Sequence, residues 1–216
     1  MRQPNMEPER EIARYFDCCE APGQRKMNTR MSGGARRELV LGLQAVGLEG
    51  KTILEVGCGP GDLTRELVRK GGVRALGIDL AEQTLEEGRK RAAEDGLDDR
   101  ITYRIGNGAK EIFETHDVVV LDKVICCYPD WMELVSNTAG AAGSVYGFVI
   151  PRSDGISAVF VRAFIALQRF ILKMRKCGFV PFVHDFTQID AYLARHGLRR
   201  THLDLGPIWM TAVYAR

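Results

Sequence analysis

The sequence predicts an α/β fold: a mostly parallel seven-stranded sheet, an antiparallel hairpin at its C-terminal end, and a helical cap at the N-terminus. Three observations lead there. From residue 52 onward, short β-branched runs alternate with helical patterns, as strands joined by crossover helices do. The first of these runs passes directly into a glycine turn, Gly57-Cys58-Gly59-Pro60-Gly61. The last two runs are separated only by a short link around Gly206 and Pro207, which cannot carry a parallel crossover.

In chain order, strands are expected at 52–56, 73–78, 101–105, 117–121, 144–150, 201–205 and 209–215. Each is a short run rich in Val, Ile, Leu, Thr or Tyr, bounded by Gly, Pro or Asp. Helices are expected at 62–70, 81–94, 130–142, 156–176 and 189–195, where apolar residues recur at helical spacing. The first fifty residues read as a cap of two helices, 7–16 and 35–46, separated by a Gly-rich break. The remainder, 51–216, forms the main domain.

With 216 residues, 45% hydrophobic and 27% charged at a net charge of +2, the chain has the composition of one folded globular unit. No run of about 18 apolar residues marks a spanning helix. The polar, acid-containing start does not read as a secretory signal. Six cysteines, four of them in the adjacent pairs Cys18–Cys19 and Cys126–Cys127, do not form CxxC motifs. A cytoplasmic setting with reduced thiols and no metal site is the expectation.

The small net charge hides a division. Residues 1–37 carry +3, 38–151 carry −7 and 152–216 carry +6. Basic blocks of this size suit nucleic acid, an anionic membrane face or an acidic small molecule. No RRM, KH or zinc-finger pattern accompanies them, so nucleic acid is not the expected partner.

The glycine turn decides the ligand class. Three alternate glycines after a strand let the backbone turn sharply and approach a ligand closely. The spacing is GxGxG, whereas a dinucleotide fingerprint places its third glycine one residue later, under a pyrophosphate. Asp62 stands near the following helix start, where an anion is awkward beside a diphosphate. Asp79 ends the second strand, placed to hydrogen-bond two ribose hydroxyls. A ribose-bearing, phosphate-free, positively charged ligand meets all three observations. S-adenosylmethionine is such a ligand, and it suits the −7 central segment.

Residues 55–61, Asp79 and the strand leading to Asp122 together resemble the class I S-adenosylmethionine-dependent methyltransferases, over roughly residues 50–150. The resemblance implies a Rossmann-like core whose reversed hairpin is the C-terminal strand pair. It also implies that Gly57, Cys58, Gly59 and Gly61 line the methionine moiety with Glu55 behind them. Asp79 and Leu80 would flank the ribose, Asn107 and Gly108 the adenine, and Asp122 and Lys123 the exit of the fourth strand. Within that class, three features resemble the magnesium-protoporphyrin IX O-methyltransferases: Tyr15-Phe16-Asp17, Ile125 to Tyr128-Pro129, and Pro151 closing the fifth strand. Where that family has a His before the Tyr-Pro pair, this sequence has Cys127.

The expected acceptor is a small, anionic and hydrophobic molecule methylated on oxygen. Gln24 to Arg37 contains five basic residues and no acid, and Arg162, Arg169, Lys173 and Lys176 fall on one face of the 156–176 helix. That helix is apolar over more than a narrow stripe, so core packing, a membrane-surface contact without spanning, and a homodimer interface all stay open for it. A carboxylate acceptor needs positioning rather than a base. A phenol or thiol is helped by a base, for which Tyr15, Tyr128 and His184 are the catalytic candidates. Two alternatives remain. One is methylation of S, N or a metalloid held by the Cys pairs. The other is a module that binds S-adenosylmethionine without chemistry.

Overall fold

The computed structural model describes residues 8–19 and 22–216, with the side chains of 18–32 outside the described set. Helix α1 (Pro8–Arg14) runs into a π-helical turn at Tyr15–Cys19, and α2 (Pro22–Ala45) completes the cap. The sheet strands are β1 (Thr52–Val56), β2 (Arg74–Asp79), β3 (Ile101–Ile105), β4 (His116–Asp122), β5 (Ala142–Pro151), β6 (Arg199–Leu205) and β7 (Trp209–Ala215). Helices α3 (Asp62–Arg69), α4 (Glu82–Glu94), α5 (Trp131–Gly140), α6 (Gly155–Met174) and α7 (Phe186–Arg195) connect them, and a 3₁₀ turn at Ile125–Cys127 follows β4.

The seven strands lie in the order β3-β2-β1-β4-β5-β7-β6. Strands β1 to β5 pair in parallel, and β7 runs antiparallel to both β5 and β6. The expected reversed hairpin is therefore present, with β7 inserted between β5 and β6. The central strands read as continuous apolar runs because both faces are covered. One face packs Leu39, Leu43, Leu63, Leu67 and Leu85 of α2, α3 and α4 on Ile53, Val118 and Val120. The other packs Leu134, Val135, Ile189 and Leu193 of α5 and α7, with Ile12 and Tyr15 of the cap, on Leu54, Val119, Leu121 and Phe148. The strand order changes direction between β1 and β4. Their carboxyl ends are where an open α/β sheet leaves a ligand crevice.

Two expectations need correction. The cap contains no Gly-rich break, because α2 continues through Gly33 and Gly34 and reaches back to Pro22. Glycine disfavours a helix by only about 1 kcal/mol per residue. The buried Ala35, Leu39, Val40 and Leu43 face downstream anchors the helix on the sheet firmly enough to offset that. Helix α7 starts three residues before its apolar period suggests, because the Asp185 side chain caps it by accepting the Thr187 N–H at 2.9 Å.

A Cβ at Gly33 or Gly34 would meet no atom within 4 Å. Replacing both with Ala is therefore expected to stabilise the protein by about 2 kcal/mol in total, read as a higher midpoint in thermal or urea unfolding. A loss of stability would mean that the backbone here is not helical.

Candidate functional site

Strand β1 ends in the glycine turn, and all three glycines occupy the left-handed region, Gly57 at φ 69°, Gly59 at 52° and Gly61 at 69°. The backbone of Gly57 and Cys58 donates to the Ile78 carbonyl at 2.8 and 2.9 Å, which fixes the turn against the end of β2. The next residue on β2 completes the lock. Asp79 Oδ2 accepts the Gly59 N–H at 2.8 Å and Oδ1 accepts the Ala81 N–H at 2.9 Å. Burial raises the Asp79 pKa, and the backbone N–H donors oppose that rise. Leu80 packs half-buried against the core beside it.

The glycines differ in what surrounds them. A Cβ on Gly61 would lie 1.9 Å from the Tyr103 hydroxyl, and one on Gly57 2.4 Å from a Val124 methyl. A Cβ on Gly59 would meet nothing within 4 Å. Gly57 and Gly61 are thus required by the protein's own packing, whereas Gly59 faces an open cradle. Gly108 is of the first kind, with Val56 2.4 Å from where its Cβ would stand. Cys58 is buried beneath the turn, and burial pushes its thiol pKa well up, so it is a packing residue and no nucleophile.

Glu55 is buried on β1, hydrogen-bonded by the Thr64 hydroxyl. Burial pushes its pKa up to about 8, with Arg36 acting in the opposite direction. At the end of β4, Arg36 from α2 reaches Asp122 Oδ2 through Nε at 2.8 Å and Nη2 at 2.7 Å. Lys123 Nζ stands 3.5 Å from the same oxygen. Asp122 Oδ1 is buried without a hydrogen-bond partner among the described residues. Lys123 itself is held at φ 66°, a conformation that a non-glycine residue adopts only where its surroundings enforce it. Cys126 and Cys127 both direct their thiols at its carbonyl, at 3.3 and 3.5 Å.

At the other end of the crevice, Asn107 Oδ1 accepts the Ala109 N–H at 3.0 Å and the Tyr128 hydroxyl at 3.3 Å. Its amide donates to Glu9 Oε1 of the cap at 3.3 Å, and Lys110 pairs with the same oxygen at 2.8 Å. Glu9 Oε2 is buried with no hydrogen-bond partner among the described residues. The crevice is therefore flanked by two carboxylate oxygens, on Asp122 and Glu9, each without a hydrogen bond from the described residues. S-adenosylmethionine fits such a site. It carries an ammonium at one end and an adenine amine at the other, and the open cradle at Gly59 and the carboxylate of Asp79 lie on the residues between.

The catalytic candidates occupy one side of this crevice but are engaged by the fold. Tyr15 is buried, stacked on Phe179 with ring centroids 4.4 Å apart. The Tyr128 hydroxyl bonds Asn107, and burial raises its pKa further out of reach of a phenolate. His184 Nε2 lies 2.9 Å from the Tyr128 carbonyl, and burial lowers its pKa, so the ring is neutral at pH 7 and donates to that carbonyl. Asp185 is the cap of α7 and does not pair with His184. Among the described residues, no cluster of three or more His, Cys, Asp or Glu is arranged to hold a metal. A convergence of the Cys pairs through Cys18 lies outside the described side chains. Asp62 is paired with Arg65 at 2.7 Å and Arg91 at 2.9 Å, so its charge does less to repel a diphosphate than its position suggests.

Sequence reasoning missed Glu9, Thr64 and Tyr103. It noted Arg36 only as part of a basic run. Tyr103 supports the turn from β3, where a Tyr in an alternating strand looks like any core aromatic.

Two outcomes follow. Gly61→Ala is expected to lower stability by about 2 kcal/mol, because Tyr103 must move. Gly59→Ala is expected to cost only about 1 kcal/mol of strain yet to abolish S-adenosylmethionine binding in a calorimetric titration. Equal effects on folding and binding at both positions would contradict the open cradle. The second outcome concerns Glu55. Its folded pKa of about 8 exceeds its unfolded value of 4.5, so the folded state holds the extra proton. Stability should be full below pH 4.5 with respect to this group and fall as pH rises toward about 8, at up to about 1.4 kcal/mol per pH unit. Urea titrations of Glu55→Gln across that window should lack this slope.

Comparison with known proteins agrees with this geometry. Residues 53–141, from β1 to the end of α5, match the Methyltransferase domain family. The ribosomal protein L11 methyltransferase of Enterobacter sp. (strain 638) is 27% identical over 124 residues, which are 56% of this chain and 42% of that protein. The chain thus spans less than half the length of the curated relatives it matches in this way. The magnesium protoporphyrin IX methyltransferase of Synechocystis PCC 6803 superimposes with a TM-score of 0.73 at 15% identity, over 100% of both chains. The geranyl diphosphate C-methyltransferase of Streptomyces coelicolor A3(2) does so with a TM-score of 0.71, also at 15% identity over 100% of both. Strand order and glycine turn give this chain the Rossmann-like fold of the class I S-adenosylmethionine-dependent methyltransferases, with the matched methyltransferase domain at 53–141.

Proposed function

We propose that the protein methylates oxygen, as a carboxylate, on a small hydrophobic molecule. One observation carries this reading. The three side chains best placed to act as a base, Tyr15, Tyr128 and His184, are buried in stacking, raised in pKa, or committed to a backbone carbonyl. A phenol or thiol acceptor would need a group free to take its proton, whereas a carboxylate arrives already nucleophilic.

S-adenosylmethionine supplies an electrophilic methyl group on its sulfonium. The chain's own residues then position and exclude. Asp122 holds negative charge near the cationic end of the cofactor, with Arg36 and Lys123 beside it, and the buried Glu55, protonated at neutral pH, supports the turn from behind. Asp79 takes the ribose hydroxyls. Glu9 and Asn107 take the adenine edge. Phe179, Phe182, Tyr15 and Ile125 give the crevice an apolar wall that keeps water from the transferring group. His184 acts as a pin: through the Tyr128 carbonyl it fixes the 3₁₀ turn on which the acceptor side is built. Two proteins of similar fold are named for magnesium protoporphyrin IX and geranyl diphosphate, both apolar bodies bearing anionic groups, and they favour the same substrate class.

The test is a screen of porphyrin and aromatic carboxylates, phenols and thiols with methyl-labelled cofactor, followed by alkali. A methyl ester releases its label as methanol; an ether, thioether or C-methyl product does not, and would overturn the reading. On the best acceptor, His184→Gln should keep kcat/KM within about tenfold and leave its pH profile flat near neutrality. Loss of a general base would cost about 10²–10⁴-fold.

A further inference from the structure

Helix α6 presents a face that no described residue covers. Only Ala158, Val161, Ile165 and Leu172 are buried along its 20 residues, and they form one narrow stripe. On the opposite side Ile156, Phe160 and Met174 are 82%, 72% and 70% exposed, and Val159, Phe164, Leu167, Phe170 and Ile171 are exposed with them. At 100° per residue these eight side chains share one arc that contains no charged residue. Arg162, Arg169 and Lys173 fall together on one margin of that arc, and Ser157 and Gln168 on the other. The result is a rod about 30 Å long whose outward side is aliphatic and aromatic.

By length and composition this helix could cross a membrane. Its attachments hold it against the domain instead. Its buried stripe is seated on the domain, and the segment after it is tied to the site. Arg169 Nε donates to the Pro181 carbonyl at 2.7 Å, and the Phe182 N–H donates to the Cys126 carbonyl at 2.7 Å.

We propose that α6 lies flat in the surface of an anionic lipid bilayer. Charge selects this occupant. Residues 155–184 contain five Arg and Lys and no Asp or Glu. Pairing the face with a second copy across a two-fold axis would gather ten cations around one apolar seam. An anionic leaflet accepts the apolar arc among its acyl chains and the basic margin among its headgroups, with the long Arg and Lys stems reaching outward. An uncovered apolar face of this extent on a folded domain marks a contact of this kind. The same geometry brings the segment 177–184, which walls the acceptor side, to the lipid interface. An apolar acceptor then reaches the crevice from the bilayer. Lipid binding itself does not depend on which acceptor is methylated.

Vesicle flotation of the full-length chain tests this, with phosphatidylcholine vesicles in one arm and mixed phosphatidylcholine–phosphatidylglycerol vesicles in the other. The protein is expected to float with the mixed vesicles, to float poorly with phosphatidylcholine alone, and to be released by high salt. Phe160→Asp with Leu167→Asp should abolish flotation while leaving S-adenosylmethionine binding unchanged, since both side chains point away from the domain. Arg162→Glu with Lys173→Glu should remove the preference for the anionic vesicles, weakening binding to them roughly tenfold or more. Absence of flotation with the mixed vesicles, or flotation that survives the first pair of substitutions, overturns the proposal. So does a concentration-dependent dimer in sedimentation that the first pair dissolves while no vesicle is bound.

Discussion

The carboxylate of Asp79 holds the site together. Its two oxygens take the Gly59 and Ala81 N–H groups, so one side chain fixes both the turn after β1 and the start of α4. The turn it fixes puts three alternate residues in left-handed backbone, which cannot be maintained by helix or sheet bonding. Register in the parallel sheet sets this up: Val56 lies opposite Ile78, so Asp79 falls one step beyond, level with the glycines. A slip of one residue would turn Asp79 to the other face of the sheet and leave the turn without an anchor.

Around that anchor the cap completes what the sheet begins. Arg36 and Glu9 come from the two cap helices and meet the two ends of the crevice, one at Asp122 and one at Asn107. Each contact leaves one carboxylate oxygen buried and without a hydrogen bond among the described residues, a costly arrangement in a folded protein. The cost is understandable where a ligand supplies the missing N–H donors.

The acceptor side follows a different logic. Lys123 in its left-handed conformation, the two thiols on its carbonyl and His184 on the Tyr128 carbonyl make a rigid turn of hydrogen-bonded backbone. Side chains that look like acid–base chemistry in a list of residues serve here to hold geometry. The segment after α6 is tied to this turn by the Phe182 N–H on the Cys126 carbonyl.

The sequence by itself determined the sheet, its reversed hairpin, the glycine turn and the acid at the end of β2. These are local requirements: a buried parallel strand must be apolar along its length, and left-handed backbone selects glycine at the residue concerned. It also showed the apolar extent of α6, though not which side would be covered. Tertiary structure alone decided the partners. Arg36 meets Asp122 from 86 positions away and Glu9 meets Asn107 from 98, distances over which no periodicity carries information. The same holds for the helix that continues through Gly33 and Gly34. There, packing of the downstream face outweighed a local preference that points the other way. It holds again for His184, whose neighbour in sequence, Asp185, caps a helix while its partner in space is a carbonyl 56 residues earlier.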